Sequence, residues 1–356
     1  MKTILTEKAS RITYLDILRI SAAFFIVMIH VAAENWSLLP IESFSWNMVN
    51  LYDGTARFGV PIFVMISGAL FLDRDYSYQK ILKTHVLKIA ICYLLWSAIY
   101  AVVPYIRHRE MLNPAAVLTR MFNGHSHLWF LIMLIGLYLI VPFLRRIAVK
   151  KDLAKIFVIL SFLFAFFVPQ LISVVGLFSK DASRLMSDFS KVLNLHFVLG
   201  YSGYFMLGYL LSKATLKKGT KIVLIIAGIC GAGITIGGTL GLSLSMGKPQ
   251  TMLYDYLSVN VLLTAVAVFI AAKELFARKP NSKVGMRRLA YLSKCSFGVY
   301  LIHPLLIVIL VTGLKMDLLG FSPILSIPLY SIAIFIMSYL ISMLLNKIPF
   351  VNKWVV

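Results

Sequence analysis

The sequence predicts an all-α membrane protein of about ten transmembrane helices with both termini in the cytoplasm. Three observations predict it. The first is composition: 60% of the 356 residues are hydrophobic, 14% are charged and the mean hydropathy is +0.87. Soluble domains are about 45–50% apolar and roughly a quarter charged, so too few polar side chains remain to cover a water-soluble globule. A soluble enzyme and a disordered chain are both excluded. The second is the recurrence of apolar runs of about 20 residues, the length that crosses a bilayer core as a helix. The third is charge: 35 Lys and Arg face 14 Asp and Glu, a net +21, and the excess falls in alternate loops.

Taken in order, the first segment, Tyr14–Ala33, follows a short polar start and carries Asp16 and Arg19 with no small-residue cleavage site behind it. It reads as a retained helix, not a signal peptide. The second, Gly54–Leu72, contains Ser67-Gly68, whose glycine suits close helix packing. Val86–Tyr105, Leu128–Leu144 and Ala154–Leu177 follow as mostly apolar runs of similar length. The sixth, Val192–Leu211, is the most polar, with Asn194 and His196 in its first turns. Ile222–Leu244, Met252–Ala272, Tyr291–Thr312 and Pro323–Leu345 complete the set. Connections of about twenty residues or fewer leave no room for a soluble domain. The expectation is a single integral-membrane domain over 1–356 with its core at about 14–345. An internal repeat, the mark of many transporters, is absent.

The two ends and the even-numbered loops hold 25 of the 35 basic residues, and the odd loops hold eight. Arg19 and Arg57 lie within helices. Cytoplasmic loops carry the Lys and Arg excess, so the even loops and both ends are assigned to the cytoplasm. The basic surplus is thus a topology signal, and no nucleic-acid partner is implied. Cys92, Cys230 and Cys295 are far apart, which disfavours a disulfide framework or a thiolate metal site. No metal is expected.

Ionisable groups inside spanning helices are costly and therefore candidates for function. Arg19 and His30 are eleven residues apart, which on a helix is about 20° of rotation and about 16 Å of rise. They share one face, Arg19 in the inner half and His30 in the outer. Asp16 sits one turn before Arg19 and is an expected ion-pair partner. The alternating orientation puts Arg57, with Asp53 one turn earlier, near the outer end of the second segment. His125, His127, Trp129 and His196 fall at the outer surface, and His303 near mid-depth. Each has a plainer reading. His30 and His303 would serve equally in packing, Arg57 would snorkel to headgroups, and His125 would be interfacial. Trp129, Trp36 and Trp46 would suit an aromatic belt. Arg19, permanently charged, needs a partner or an anionic ligand. Walker, dinucleotide, zinc-protease and serine-hydrolase motifs are absent.

Tyr14-Leu-Asp-Ile-Leu-Arg19 with His30 resembles the first helix of the membrane-bound acyltransferase-3 family. The similarity extends to Arg57-Phe-Gly-Val-Pro-Ile-Phe-Val-Met-Ile-Ser-Gly68 and to His127-Leu-Trp-Phe130 with Tyr138 and Pro142. It continues in Gly203-Tyr-Phe-Met-Leu-Gly208 and Ser296-Phe-Gly-Val-Tyr-Leu-Ile-His-Pro304. The resemblance implies a multi-pass enzyme of the bacterial cell membrane. Such an enzyme moves an acyl group, commonly acetyl, from acyl-CoA to a hydroxyl of an extracytoplasmic glycan or lipid-linked sugar. Acyl-CoA is then a donor substrate, and no permanently bound cofactor is expected. By the same resemblance His30 is the catalytic histidine, and Arg19 and Arg57 are the essential arginines. Some relatives carry a soluble hydrolase-like domain. Without one, this chain is expected to complete transfer alone or with a partner.

The chemistry agrees with the positions. A hydroxyl is a weak nucleophile at neutral pH and needs a base in hydrogen-bond reach, a role suited to neutral His. His30 would deprotonate the acceptor or transiently carry the acyl group. Arg57 or His127 would orient the acceptor or stabilise the oxyanion. Arg19 would engage the anionic donor, while Asp16, His127, Trp129 and His303 line the substrate path. The competing expectation is a transporter or flippase of a cell-envelope glycan or lipid intermediate, in which the same residues line a route without covalent chemistry.

Overall fold

The computed structural model describes residues 12–108, 113–193, 195, 198–276 and 283–356. Nine helical stretches among the described residues are long and apolar enough to cross a membrane, and the chain is an all-α multi-pass membrane protein. The elements that matter for the site are α1 (Thr13–Ala33), α2 (Phe44–Ala56), α3 (Gly59–Phe71) and α4 (Tyr78–Pro104). They are followed by α5 (Trp129–Ala148), α6 (Lys151–Phe178), α7 (Lys180–Val192) and α8 (Ser202–Lys213). Last come α9 (Lys218–Met246), α10 (Val259–Phe276), α11 (Val284–Gly313), α12 (Pro323–Leu345) and α13 (Pro349–Trp354).

Two elements depart from expectation. The second span begins ten residues early, at Phe44, and breaks at Arg57-Phe58 into α2 and α3. Ser43 caps α2 by accepting a hydrogen bond from the Trp46 amide (3.1 Å), and Pro61 enters α3 in its first turn, where its missing N–H costs nothing. The break leaves Arg57 at the C-terminal end of α2. The sixth span is short: α8 has 12 residues, about 18 Å at helical rise. It still runs between the two ends of the bundle. Near its start the Tyr204 hydroxyl donates to the Tyr256 carbonyl (2.7 Å), and at its end Lys213 pairs with Asp73. Tyr204, Phe205 and Met206 are fully buried, so α8 crosses inside protein and need not match the lipid thickness. Asn194 and His196, the polar residues in the first turns of the expected sixth segment, lie outside the described residues. The connection after α6 forms a helix, α7, capped by Ser179.

Gly68 of α3 faces Phe205 of α8, and Gly208 of α8 faces Met65 of α3. A Cβ at either glycine would overlap the opposing backbone. Ser67-Gly68 is thus a close-packing site, and Gly208 is its reciprocal. Backbone-to-backbone approach of this kind replaces side-chain burial as the source of helix association in lipid.

The even loops meet at one end of the bundle. Arg145 pairs with Asp75, Lys213 with Asp73, and Lys221 with Glu274 (2.7 Å). Lys273 donates to the carbonyls of Leu211, Ser212 and Ala214 at 2.7–2.8 Å, satisfying the end of α8. Here the chain's C-terminal segment also docks. Lys88 donates to Val356 O (3.0 Å) and Trp96 Nε1 to Val355 O (3.0 Å).

Candidate functional site

Three segments converge on a layer of imidazoles. The last turn of α1 supplies His30, the middle of α11 supplies His303, and a tight turn before α5 supplies His125 and His127. That turn hinges on Gly124, whose φ of +72° is the left-handed region and whose Cβ position lies 2.7 Å from the Tyr93 hydroxyl. Both the backbone and the space there require glycine. Ring centroids are 4.9 Å apart for His30–His303, 5.9 Å for His127–His303 and 6.4 Å for His30–His127. His127 and His303 are buried.

The hydrogen bonds constrain the tautomers. His303 Nδ1 lies 3.0 Å from the Val299 carbonyl, which only accepts, so Nδ1 carries the proton and a neutral ring leaves its lone pair on Nε2. His125 and His127 face each other through Nδ1 atoms 2.7 Å apart, so one is protonated and the other is not. Nε2 of His127 and Nε2 of His303 are both buried with no hydrogen-bond partner among the described residues. Buried polar nitrogens are normally paired, so these two, in a single layer, are the groups there with hydrogen-bonding capacity left over.

Two tyrosines hold the layer. Tyr100 of α4 inserts its hydroxyl into α11, donating to Leu301 O (2.8 Å) and accepting from Leu305 N (3.2 Å). Pro304 has no N–H for the ladder, and a side chain entering at such a break is a recognised cause of local opening. The same ring packs on His125 (4.6 Å) and His127 (4.8 Å). Tyr300 donates to the His127 carbonyl.

At the even-loop end a cavity of about 650 Å³ rises toward this layer. Arg19, Arg74, His85, Lys88, Lys294 and Tyr138 are among its lining groups. Phe63, Phe130 and Tyr300 also line it, whereas the four imidazoles of the layer do not. These three rings pack in sequence, with centroids 6.0 and 5.6 Å apart, forming an aromatic septum between cavity and imidazoles. At the opposite end a second cavity, a shallow one wide open to the surface and about 420 Å³ in volume, is lined by Arg57, Trp129, Tyr201, Thr251, Tyr254, Asp255 and Tyr256. Arg57 pairs with Asp53 (2.6 Å) and lies 4.2 Å over the Tyr254 ring. Its charge is near enough to act on His30.

The structure therefore joins His30, His127 and His303 in one layer. It sets Arg57 and Trp129 in the cavity on one side of that layer and Arg19 in the cavity on the other. His303, expected alone near mid-depth, touches His30. Asp16 is buried but is not among the residues lining either cavity. Arg57 does not snorkel, since Asp53 and Tyr254 hold it. Trp46 is 0% exposed and packs on Trp36 (4.7 Å), so it belongs to the interior and not to an aromatic belt. His125 is part of the imidazole layer. The sequence reading missed Tyr100, Tyr300, Tyr254 and Tyr256. The pair Tyr254-Asp-Tyr256, just before α10, was the visible signal for the last two. Among the described residues, no group of three or more His, Cys, Asp or Glu is arranged to hold one metal ion.

Comparison with known proteins places the chain as a whole. A stretch of 111 residues is 35% identical to the succinoglycan biosynthesis protein ExoH of Rhizobium meliloti (strain 1021), covering 30% of this chain and 29% of that protein's length. No solved structure matches significantly. A profile described as an acyltransferase domain matches residues 12–346, nearly everything from α1 to the end of α12, and the chain accordingly belongs to the acyltransferase-3 family.

Proposed function

We propose that the protein transfers an acyl group, acetyl in the simplest case, from acyl-CoA at the cytoplasmic face to a hydroxyl of an envelope glycan or lipid-linked sugar at the outer face of a bacterial plasma membrane. One observation carries this reading: an imidazole layer containing His30 lies between a cationic cavity on the basic side and an aromatic, polar cavity on the other. Two substrates that approach from opposite faces call for such an arrangement. Membership of an acyltransferase family supports covalent transfer over movement of an unmodified intermediate, and the name of the ExoH relative supports a glycan acceptor.

In the proposed reaction His30 takes the proton of the acceptor hydroxyl as that oxygen attacks the thioester carbonyl. The C–O bond forms, the tetrahedral intermediate collapses with loss of the CoA thiolate, and the proton passes to that sulfur. The products are an ester and free CoA thiol. Arg57, and the Nε2–H of His127 when His125 carries the shared Nδ1 proton, would stabilise charge at the reacting carbonyl, while the bare Nε2 of His303 would accept a proton or a hydroxyl hydrogen bond. Arg19, Arg74, Lys88 and Lys294 would hold the donor's phosphates. The test uses the full chain in native membranes with acetyl-CoA labelled on the acetyl group. Thiol release and label entering the glycan fraction are both expected, and both are expected to vanish in His30→Ala. Retention of either at the wild-type rate in a well-folded His30→Ala protein overturns the reading.

A further inference from the structure

The cavity at the odd-loop end has a chemistry of its own. Of its seven lining residues four are aromatic: Trp129, Tyr201, Tyr254 and Tyr256. The Trp129 and Tyr256 rings are nearly parallel, 22° apart with centroids at 5.9 Å. Tyr256 is fixed from behind, because its carbonyl accepts the Tyr204 hydroxyl (2.7 Å). Trp129 is 38% exposed, so its ring face remains accessible. The polar groups are Arg57, Thr251 and Asp255. Arg57 Nε and Asp53 Oδ1 are buried without hydrogen-bond partners among the described residues, although Arg57 and Asp53 pair through their other atoms.

This combination selects a ligand class. A phosphate or other strong anion is disfavoured, because Asp53 already balances Arg57 and Asp255 adds negative charge. A lipid chain is disfavoured, because the lining has no aliphatic side chain. A pyranose fits both halves of the lining: one face of the ring is a set of C–H groups that lies on an aromatic plane, and its rim of hydroxyls donates and accepts. Trp129 stands two residues after His127, and Arg57, which lines the cavity, also acts electrostatically on His30, so the cavity lies beside the imidazole layer. We propose that this cavity is the acceptor subsite, binding one sugar ring against the Trp129–Tyr256 platform with its hydroxyls on Arg57 and Asp255. The proposal rests on the reading of a glycan acceptor, but it concerns binding and is testable without turnover.

The probe is the envelope glycan fraction extracted from the cells that make the protein, fluorescently end-labelled and titrated against the full chain in lipid nanodiscs. Wild type and Trp129→Phe are expected to bind. Trp129→Ala is expected to bind about tenfold more weakly, and Thr251→Trp, which fills the cavity from an exposed position, is expected not to bind. A monodisperse elution profile for Thr251→Trp excludes misfolding. Wild-type affinity in both Trp129→Ala and Thr251→Trp overturns the proposal, as does a wild-type protein that acylates the fraction without binding it. Binding that Thr251→Trp removes, in a wild-type protein that releases no CoA thiol, leaves the subsite standing and defeats only the acyl-transfer reading.

Discussion

His303 shows how a single proton position shapes the site. Its Nδ1–H is committed to Val299, so only Nε2 is available to the layer, and it can accept but not donate while the ring is neutral. The His125–His127 pair differs, because its shared proton can sit on either ring. Removing His30 is expected to lower acyl transfer by about 10²–10⁴-fold, the range for a positioned general base, measured as CoA thiol release. His125→Ala leaves His127 Nδ1 without its partner while sparing His30. It is expected to reduce the rate less than His30→Ala does in the same assay. Arg57→Lys removes the planar cation that lies on Tyr254 and pairs with Asp53; Lys does not replace it at a stacked site. Loss of transfer with normal expression is the expected outcome. At this scale the sequence disclosed the eleven-residue separation of Arg19 and His30, because helical geometry alone converts it to a shared face. It did not disclose Tyr100, whose partner carbonyl belongs to Leu301, 201 residues away. Long-range pairing of that kind leaves no local pattern.

Among the elements, α3 and α8 approach backbone to backbone, and their crossing depends on two glycines. Gly68→Ala or Gly208→Ala would force backbones apart. Overpacking of a tight contact costs about 1–3 kcal/mol, so each variant is expected to unfold at lower temperature in detergent, followed by intrinsic fluorescence, with the double variant worse than either. The C-terminal segment gives a second expectation. Residues 349–356 supply acceptors to Lys88, Trp96 and the Cys92 thiol (Sγ to Trp354 O, 3.0 Å). Deleting them orphans these donors, at about 1–3 kcal/mol for each that remains buried, and a lower midpoint in the same melt is the check. Hydropathy located the spans well where lipid is the solvent, since each such helix must be apolar for about 20 residues. It overestimated α8, which is enclosed by protein and needs only 12 residues of regular helix. It also missed the break at Arg57-Phe58, because the apolar run from Phe58 to Leu72 outweighs the few polar residues at the start of that segment.

For the whole molecule, alternation of charge was the most informative pattern. Loops that share the basic excess also share contacts, as Arg145–Asp75, Lys213–Asp73 and Lys221–Glu274 demonstrate. Single cysteines introduced at Lys217 and at Lys248 of a variant lacking Cys92, Cys230 and Cys295 are expected to label from opposite sides of sealed vesicles, Lys217 from the cytoplasmic side. Labelling of both from one side would contradict the ten-crossing topology. The septum of Phe63, Phe130 and Tyr300 has a consequence for the cell as well as for the reaction. A wet channel from one face to the other would short-circuit the proton gradient across the bilayer, and the edge-to-face rings stand across that conduit. Shaving Phe130 to alanine should therefore make proteoliposomes leak protons under an imposed pH step, a defect unconnected with any acyl group.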